Sequence, residues 1–328
     1  MTAPGEHNLA ALAERSFERK GDYEALFYEG QWCRSGDLFR RGCGLAAGLS
    51  ELGIAPGDRV VVTMANSPEV GITYHALWRA GAVVTPASFL LSESELTHVI
   101  TNAEACAVIT TPEFADKVKD ATADAPSVRH RISTGQVEGF IRFDELERSD
   151  SQPIVARADD DLAAVLYTGG TTGQAKGVML THANLNYAGA AAQTAGHVPG
   201  INRSLATLPL SHSYGLLVTI AGLHVPEPGI AVLLRWFEPQ LFLALIEEHQ
   251  VQQTAVVPTM LQILLSQPLE DHDLSSLRYV SSGGAPLAAE VAEQFLRRVP
   301  GVSIRQGYGL TETAALISTN PVGRERTC

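Results

Sequence analysis

The chain has 328 residues, of which 45% are hydrophobic and 18% are charged. It is therefore long enough to bury a core without disulfide or metal support, and its composition is not that of a disordered chain. The formal charge is −12, from 24 basic and 36 acidic residues, which argues against nucleic acid as a partner because a duplex binder needs a basic face.

The first half of the chain alternates strand and helix signals. Pro68 lies in the first turn of an expected helix and Gly81 lies just beyond its end, which is the usual asymmetry of helix termini. Ser92 and Glu95 form a capping box at the start of the next helix. The expected elements are strands at 60–63, 82–85 and 106–110, a helix at 68–80 and a helix from residue 93. Such alternation predicts an α/β fold of mainly parallel sheets covered by helices.

The stretch from about 111 to 160 is polar and irregular, and it contains no Gly/Ser or Pro tract long enough for a flexible linker. We interpret it as the approach to a second lobe, with lobe one at about 1–158 and lobe two at about 159–328. In lobe two we expect strands near 163–166, 254–257 and 277–280. We also expect a helix at 239–249 with Leu241, Leu245 and Phe242 on its buried side.

The four cysteines form no CxxC pair and have no histidine at zinc-ligand spacing, which indicates reduced thiols and a cytoplasmic location. Residues 1–22 offer no apolar region typical of a secretory signal. The uncharged stretch 204–226 is interrupted by Pro209, Gly215 and Gly222, so no membrane span is expected.

Residues 167–177, YTGGTTGQAKG, follow an expected strand and concentrate hydroxyls, glycines and one lysine. Glycine lets the backbone turn its N–H groups inward, while threonine hydroxyls and Lys176 can reach anionic oxygens. Lys176 is also the only formally charged residue between 162 and 202, so it does not belong to a charged surface. The segment predicts a phosphate-binding loop made of Thr168, Gly169, Gly170, Thr171, Thr172, Gly173 and Lys176.

Other nucleotide-binding patterns fit less well. A Walker P-loop needs Gly before the lysine, Ser or Thr after it, and then a helix; Ala175 and Gly177 flank Lys176 and a strand is expected next, which excludes that class. A glycine-rich hairpin turn without a ligand stays open. A G-x-G-x-x-A match at 42–47 lies in an expected helix with no strand before it, which argues against a dehydrogenase.

A second cluster of polar residues is QGYGLTET at 306–313. Tyr308 stands between two glycines and can present its ring to a nucleobase. Glu312 is the only acidic residue of the cluster, and a carboxylate next to Thr311 is the hard oxygen ligand that Mg²⁺ prefers. The alternative is a helix N-terminus that Thr311 caps.

Together the two clusters resemble motifs of the acyl-adenylate-forming (AMP-binding) superfamily, which comprises acyl-CoA synthetases, firefly luciferase and adenylation domains. The family motif YTSGTTGxPKG is met except at Gly169, where the family has Ser, and at Ala175, where it has Pro; the motif YGxTE is met in full. Further matches are GDRVVVTMANSPE at 57–69, PLSHSYG at 209–215, VVPTM at 256–260 and SSGGAPL at 281–287. The resemblance covers about residues 25–323, the N-terminal region of the family.

The resemblance implies ATP-dependent activation of a carboxylic acid to acyl-AMP, with Mg²⁺ as cofactor and coenzyme A as the acceptor. It implies that the 168–173 loop embraces the phosphates, that Lys176, Thr311 and Glu312 are catalytic, and that Glu312 also binds the metal. The nucleotide would lie against Gly284, Ala285, Pro286, Gln306, Gly307, Tyr308 and Thr311. The loss of the Ser hydroxyl at Gly169 removes one phosphate donor, worth about 1 kcal/mol.

The resemblance also places the acid pocket at His212, Tyr214 and Gly283. Relatives that activate amino acids have an Asp near this position, and residues 211–214 contain none, so an apolar acid is favoured. For His212 three interpretations are open: a packed core histidine, a general base, or a gate of the pocket. Arg235 lies near the place where relatives meet coenzyme A, although Trp236 interrupts the usual spacing and a surface role is the alternative.

Relatives continue for some two hundred residues with an Asp that holds the ribose, a β-barrel and a small domain that carries a further lysine. We expect this chain to lack the β-barrel and the small C-terminal domain and to end within a domain. Two hypotheses follow: the chain is part of an acyl- or aryl-CoA ligase, or it is a nucleotide- or acyl-binding fragment without turnover. A homodimer is compatible with the sequence.

Overall fold

The computed structural model describes residues 5–168 and 174–320. The helices of this part of the chain are α1 (Leu9–Lys20), α2 (Ser35–Glu51), α3 (Pro68–Arg79), α4 (Glu93–Asn102), α5 (Ala115–Ala121), α6 (His182–Gly196), α7 (Ser213–His224), α8 (Pro239–His249), α9 (Pro258–Leu265) and α10 (Ala289–Arg298). Its strands are β1 (Glu24–Tyr28), β2 (Gln31–Arg34), β3 (Arg59–Thr63), β4 (Val83–Pro86), β5 (Ala107–Thr110), β6 (His130–Ser133), β7 (Ile141–Arg142), β8 (Leu162–Thr168), β9 (Lys176–Thr181), β10 (Arg203–Ala206), β11 (Ile230–Leu233), β12 (Gln253–Val256), β13 (Tyr279–Ser282), β14 (Ser303–Tyr308) and β15 (Ser318–Thr319).

The first sheet has seven strands in the order β7-β6-β5-β3-β4-β8-β9. All neighbouring strands are parallel except β9, which forms an antiparallel hairpin with β8. Val60 and Val62 belong to one apolar core, with Leu45 of α2 and Leu77 of α3. Val61 belongs to a second core on the other face. Because side chains alternate along a strand, a continuous run of valines is what a sheet buried on both faces requires.

The second sheet has eight strands in the order β15-β14-β13-β12-β10-β11-β1-β2. Its inner strands are parallel, and the edge strands β2 and β15 are antiparallel to their neighbours. Phe242, Ile246 and Phe295 pack on this sheet in a core of their own. The expected α/β class, with two mainly parallel sheets covered by helices, is therefore confirmed.

The two sheets exchange strands along the chain. β1 and β2 lie before residue 35 but complete the second sheet, whereas β8 and β9 lie after residue 160 and complete the first. The expected boundary near residue 158 therefore does not follow sheet membership. Strand order depends on pairing between distant segments, which local sequence patterns do not report.

Most expected elements of the first half are present within two residues of their predicted bounds. The capping box is formed as predicted: Ser92 Oγ accepts the N–H of Glu95, and the Glu95 carboxylate accepts the N–H of Ser92. The interpretation of 111–160 as irregular approach was incomplete, because α5, β6 and β7 lie there. The strand expected at 277–280 begins two residues later, at Tyr279.

The buried face of α8 also differs from expectation. The helix spans the predicted residues, but Leu241 is 45% exposed, while Phe242, Leu243, Leu245 and Ile246 are buried. Leu241 lies in the first turn, where Glu238 caps the helix by accepting the N–H groups of Gln240 and Leu241. The turn therefore faces outward and the core face begins one residue later.

Two further expectations concern reduced cysteines and the absence of a membrane span. Cys33, Cys43 and Cys106 are free thiols, and burial raises the pKa of each; Cys328 lies outside the described residues. Across the described ranges, no helix has the length and apolar character needed to cross a membrane.

Candidate active site

The candidate site lies at the carboxyl ends of the parallel strands. In the second sheet the chain passes from β10 to β11 on one side and later places β12 on the other side of β10. Ligands of open α/β sheets bind outside the carboxyl ends of the strands at such a switch point. The segment that follows β10 leads directly into His212 and Tyr214, so the topology places these residues next to the switch point.

Asn66 fixes this segment against the first sheet. It follows the carboxyl end of β3 and is only 3% exposed. Its Nδ2 donates to the carbonyl oxygens of Leu208 at 2.9 Å and Leu234 at 3.1 Å, and its Oδ1 accepts the N–H of Leu210 at 2.8 Å. Its own N–H donates to the carbonyl of Arg235 at 3.1 Å. One buried side chain thus links the carboxyl ends of both sheets.

Arg235 makes a second link between the sheets. Its guanidinium pairs with Glu29 in the turn after β1 at 2.8 Å, and with Glu113 after β5 at 3.1 Å. The Arg235 side chain also forms part of the wall, with Trp236 and Glu238, of an open cavity of about 380 Å³. Two carboxylates already occupy the guanidinium, which indicates a structural role for Arg235 rather than an unpaired surface charge.

His212 begins α7. Its Nδ1 accepts the N–H of Tyr214 at 3.2 Å and therefore carries no proton. The residue is exposed, which argues against the packed-core interpretation, although partial burial of the ring lowers the pKa of the imidazole. Gly215 is required in the first turn, because a Cβ there would lie 2.2 Å from the carbonyl oxygen of Pro209. This close approach brings the segment after β10 tightly against the start of α7.

Tyr214 lies against the two neighbouring strand ends. A Cβ on Gly283 would be 3.2 Å from the ring of Tyr214 and 3.3 Å from the carbonyl oxygen of Gly307. Burial raises the pKa of the Tyr214 phenol to about 12, so the hydroxyl stays protonated near neutral pH. The structure thus brings Tyr214, Gly283 and Gly307 together, from three separate motifs.

The cluster at 306–313 begins on β14 and ends in a 3-10 turn, Thr311–Thr313. The hydroxyl of Thr311 donates to Oγ of Ser213 at 3.4 Å, which joins this cluster to the start of α7. The residue that precedes the turn is Leu310, so Thr311 is not the cap residue of a helix. Tyr308, at the end of β14, is 60% exposed, and Glu312 on the turn is also exposed.

Gly309 makes the fold of this cluster possible. A Cβ at Gly309 would lie 1.5 Å from the carbonyl oxygen of Ala315, and Ala314 and Ala315 both have positive φ, at 54° and 81°. The chain therefore turns back tightly on itself after β14. On β14 itself, Gln306 is half-buried and its N–H donates to Asn320 Oδ1 at 2.9 Å.

Gly284, Ala285 and Pro286 are exposed on the segment that leaves β13. Gly284 has a φ of 84°, in the left-handed region that glycine adopts readily. Ser282, two residues before Gly284, is in register with Gln306 on the neighbouring strand β14. The expected adenine-side residues thus lie at the ends of two adjacent strands.

The expected phosphate loop joins β8 to β9. Gly169–Gly173 lie outside the described residues, but the two arms are described: Thr168 pairs with Lys176 in the antiparallel hairpin. Lys176 is exposed, and within the described ranges it has no ion-pair partner. The Cα atoms of β9 residues lie within 8 Å of those of the turn Thr311–Thr313. The arm that carries Lys176 and the turn that carries Glu312 are therefore neighbours.

Two residues that organise this region were missed from the sequence. Ser213 lies in PLSHSYG and Asn66 in GDRVVVTMANSPE, and neither motif predicts a role for these two side chains. Asn66 precedes Ser67 and Pro68, a pattern that predicts a turn before a helix. Its contacts with residues 142 to 168 positions away could not be deduced from that pattern.

Comparison with known proteins identifies the family of the chain. Residues 13–328 match the family model described as AMP-binding enzyme. The chain belongs to this family. Feruloyl-CoA synthase of Amycolatopsis sp is 35% identical over 280 residues, which cover 85% of the chain and 54% of that protein. A 4-coumarate–CoA ligase of Humulus lupulus is 35% identical over 286 residues, covering 84% of the chain and 52% of that protein.

Solved structures confirm the fold of this AMP-binding chain. A long-chain-fatty-acid-CoA ligase from Archaeoglobus fulgidus superposes with a TM-score of 0.89 at 24% identity, over 99% of the chain and 69% of that structure. The amide bond synthetase McbA from Marinactinospora thermotolerans superposes with a TM-score of 0.84 at 26% identity, over 95% and 62%. The chain spans about half the length of the two relatives named above.

Proposed function

We propose that the protein to which this chain belongs activates a carboxylic acid with ATP and transfers the acyl group to coenzyme A. The observation that carries the proposal is the meeting of Tyr214, Gly283 and Gly307, with Thr311 bonded to Ser213, at the carboxyl ends of the second sheet. An acid pocket and a nucleotide site would thereby share one cleft.

The reaction has two steps. A carboxylate oxygen attacks the α-phosphorus of ATP, the bond from that phosphorus to the bridging oxygen breaks, and pyrophosphate leaves. The coenzyme A thiol then loses its proton and attacks the acyl carbonyl, and AMP leaves. Positioning and stabilisation of developing charge supply most of the catalysis of such phosphoryl chemistry.

The residues near these strand ends suit these tasks. Thr168, the glycines and threonines at 169–173 and Lys176 would bind the phosphates, because hydroxyls, backbone N–H groups and an ammonium are phosphate ligands. Thr311 would contact the α-phosphate. The adenine would lie between the exposed ring of Tyr308 and residues 284–286, with Gln306 and Gly307 at its edge.

A magnesium ion fits the donor set. Glu312 is an exposed carboxylate that pairs with no cation among the residues the structure describes. These residues also contain no group of three or more His, Cys, Asp or Glu side chains that could form a metal cage. Mg²⁺ needs no such cage, since it is commonly bound by one or two carboxylates, substrate phosphates and water. When bound, the ion would neutralise phosphate charge, and Glu312 would hold it.

An apolar, planar acid is the favoured substrate. The ring of Tyr214 packs against Gly283, where a side chain would close the space. No acidic residue lies at 211–214 to bind an amino group. The relatives named for ferulate and 4-coumarate point to the same class. His212 would stand at the mouth of this pocket, as a gate or a base.

Acid-dependent ATP–pyrophosphate exchange by the full-length protein tests the proposal. The panel contains ferulate, 4-coumarate, benzoate and fatty acids of several lengths, and addition of coenzyme A should convert the adenylate to a thioester. Glu312→Gln and Lys176→Ala are each expected to lower exchange by roughly 100-fold. Glu293→Gln and Lys119→Ala are the matched controls, because both residues are exposed elsewhere on the surface. No exchange with any acid would overturn the proposal.

Nucleotide binding without turnover is the second candidate for this chain alone. It is favoured by the fact that the chain covers 54% and 52% of the two relatives. Calorimetry with Mg-ATP should then give binding that Lys176→Ala abolishes and Lys119→Ala leaves intact, with no AMP formed. Release of AMP by the 328-residue chain would contradict this candidate.

A further inference from the structure

Helix α4 directs two side chains at the β8–β9 hairpin. His98 and Asn102 are four residues apart and therefore share one face of the helix. The Nε2 of His98 lies 2.8 Å from the carbonyl oxygen of Ala175, in the arm that precedes Lys176. Because a carbonyl oxygen only accepts, Nε2 must carry the proton and donate it. Neither His98 nor Asn102 belongs to the motifs singled out in the sequence.

Asn102 holds the other arm of the hairpin. Its Oδ1 accepts the hydroxyl of Tyr167 at 2.7 Å. The ring of Tyr167 also meets the imidazole of His98 edge-on, with centroids 6.2 Å apart and an interplanar angle of 86°. The two arms are thus tied to one helix by three contacts, which we call the α4 contact: His98–Ala175, Asn102–Tyr167 and His98–Tyr167.

Gly177 makes room for this arrangement. A Cβ there would lie 3.2 Å from Cζ and 3.3 Å from the hydroxyl oxygen of Tyr167, and 2.9 Å from Val165. Tyr167 and Gly177 are partners in the hairpin register, so the tyrosine side chain lies across the glycine. Any side chain at 177 would push Tyr167 away from Asn102.

The α4 contact acts next to the residues expected to bind phosphate. In the register, Thr168 and Lys176 are the pair directly after Tyr167 and Gly177. Among the described strands β9 is the last of its sheet and pairs only with β8, so sheet pairing restrains it from one side. Helix α6 and the turn Thr311–Thr313 also lie near β9. The α4 contact adds side-chain bonds to both arms at the residues next to Thr168 and Lys176.

We propose that His98 and Asn102 are positioning residues that hold Thr168 and Lys176 in place for the phosphates of the nucleotide. The inference rests on the proposed function for its ligand, but the contact itself is a property of the hairpin. His98 acts as a hydrogen-bond donor and not as an acid or base, because the acceptor is a carbonyl. A glutamine, whose amide N–H₂ group also donates hydrogen bonds, should therefore replace it.

The test uses the 328-residue chain and the variants His98→Ala, His98→Gln and Asn102→Ala. Hydrogen–deuterium exchange of peptides covering β9 reports the hairpin, and calorimetry reports the dissociation constant of Mg-ATP. His98→Ala and Asn102→Ala should each speed exchange in β9 and weaken Mg-ATP binding by about three- to tenfold, the range of one hydrogen bond. His98→Gln should restore most of both.

Two controls separate positioning from general stability. Thr101→Ala changes a residue on α4 whose hydroxyl bonds only within its own helix, and it should change neither readout. Asn186→Ala removes a hydrogen bond from α6 to the carbonyl of His7, which does not touch the hairpin arms, and should lower the melting temperature without weakening Mg-ATP binding.

The outcomes distinguish the two proposals. If the wild-type chain binds Mg-ATP but His98→Ala alters neither β9 exchange nor affinity, the positioning inference is overturned and the proposed function stands. If His98→Ala speeds β9 exchange but wild type binds no Mg-ATP, the proposed ligand is overturned. Equal loss of affinity in Asn186→Ala and His98→Ala would also overturn the positioning role.

Discussion

Asn66 offers the sharpest test of how the two sheets are joined. Substitution by alanine removes three side-chain hydrogen bonds, to Leu208, Leu234 and Leu210. At about 1 kcal/mol net for each bond, the free energy of unfolding should fall by about 3 kcal/mol. With an unfolding entropy of about 2.1 cal/mol/K per residue, this loss lowers the melting temperature of a 328-residue chain by about 4 °C.

Asn186 supplies a matched control for this experiment. It is 6% exposed, comparable with the 3% of Asn66, but its side chain makes one hydrogen bond, from Nδ2 to the carbonyl of His7 at 2.9 Å. Asn186→Ala should therefore cost about 1 kcal/mol, or about 1.5 °C. Urea unfolding and thermal melts of both variants measure the difference.

Asn66→Asp tests the same hydrogen bonds with a side chain of nearly the same shape. The carboxylate would replace an N–H₂ donor with an oxygen facing two carbonyl oxygens, so at pH 7.5 it should destabilise the chain at least as much as alanine. Equal melting temperatures for Asn66→Ala and Asn186→Ala would show that the inter-sheet hydrogen bonds do not add to stability, and the account of Asn66 would fail.

Two further predictions concern strain and pH. Gly309→Ala should lower the melting temperature by several degrees, because its Cβ would lie 1.5 Å from the carbonyl oxygen of Ala315. Gly307→Ala is the control and should be tolerated, because the atom nearest to its Cβ would be 3.7 Å away. Similar melting temperatures for both variants would contradict this prediction. Burial lowers the pKa of His182 to about 4 and of His75 to about 3 from 6.5, so the unfolded chain binds more protons. The contribution of the two neutral histidines to the free energy of unfolding is therefore complete above about pH 6.5 and is lost as the pH falls, by roughly 4 kcal/mol for both together at pH 5. Urea midpoints that do not change between pH 7.5 and pH 5 would refute this prediction.

Elements with strong local signals were predictable. The helix α3 follows from Pro68 and Gly81 at its two ends, and α4 follows from the capping box of Ser92 and Glu95. The strand β6 was missed because it lies near the sheet edge and only Ile132 and Ser133 are buried. A short strand next to the two-residue edge strand β7 needs few apolar residues, so its pattern resembles that of a polar loop.

The candidate site likewise has parts that were predictable from local sequence and parts that were not. Amino-acid type and spacing identified the glycine-rich hairpin and the 306–313 cluster, since phosphate and metal chemistry restrict which residues can serve. Their neighbours were not identifiable in this way: Thr311 meets Ser213 across 98 residues and His98 meets Ala175 across 77. These pairs come together only because of the order in which the strands are arranged.

By itself, then, the sequence determined the α/β class, the AMP-binding family and the motifs that carry the chemistry. Only the tertiary structure decided that β1 and β2 complete the second sheet and that Asn66 joins the carboxyl ends of both sheets. The physical reason is that periodicity and capping are properties of consecutive residues, whereas strand order and buried hydrogen bonds depend on contacts between segments far apart in the chain.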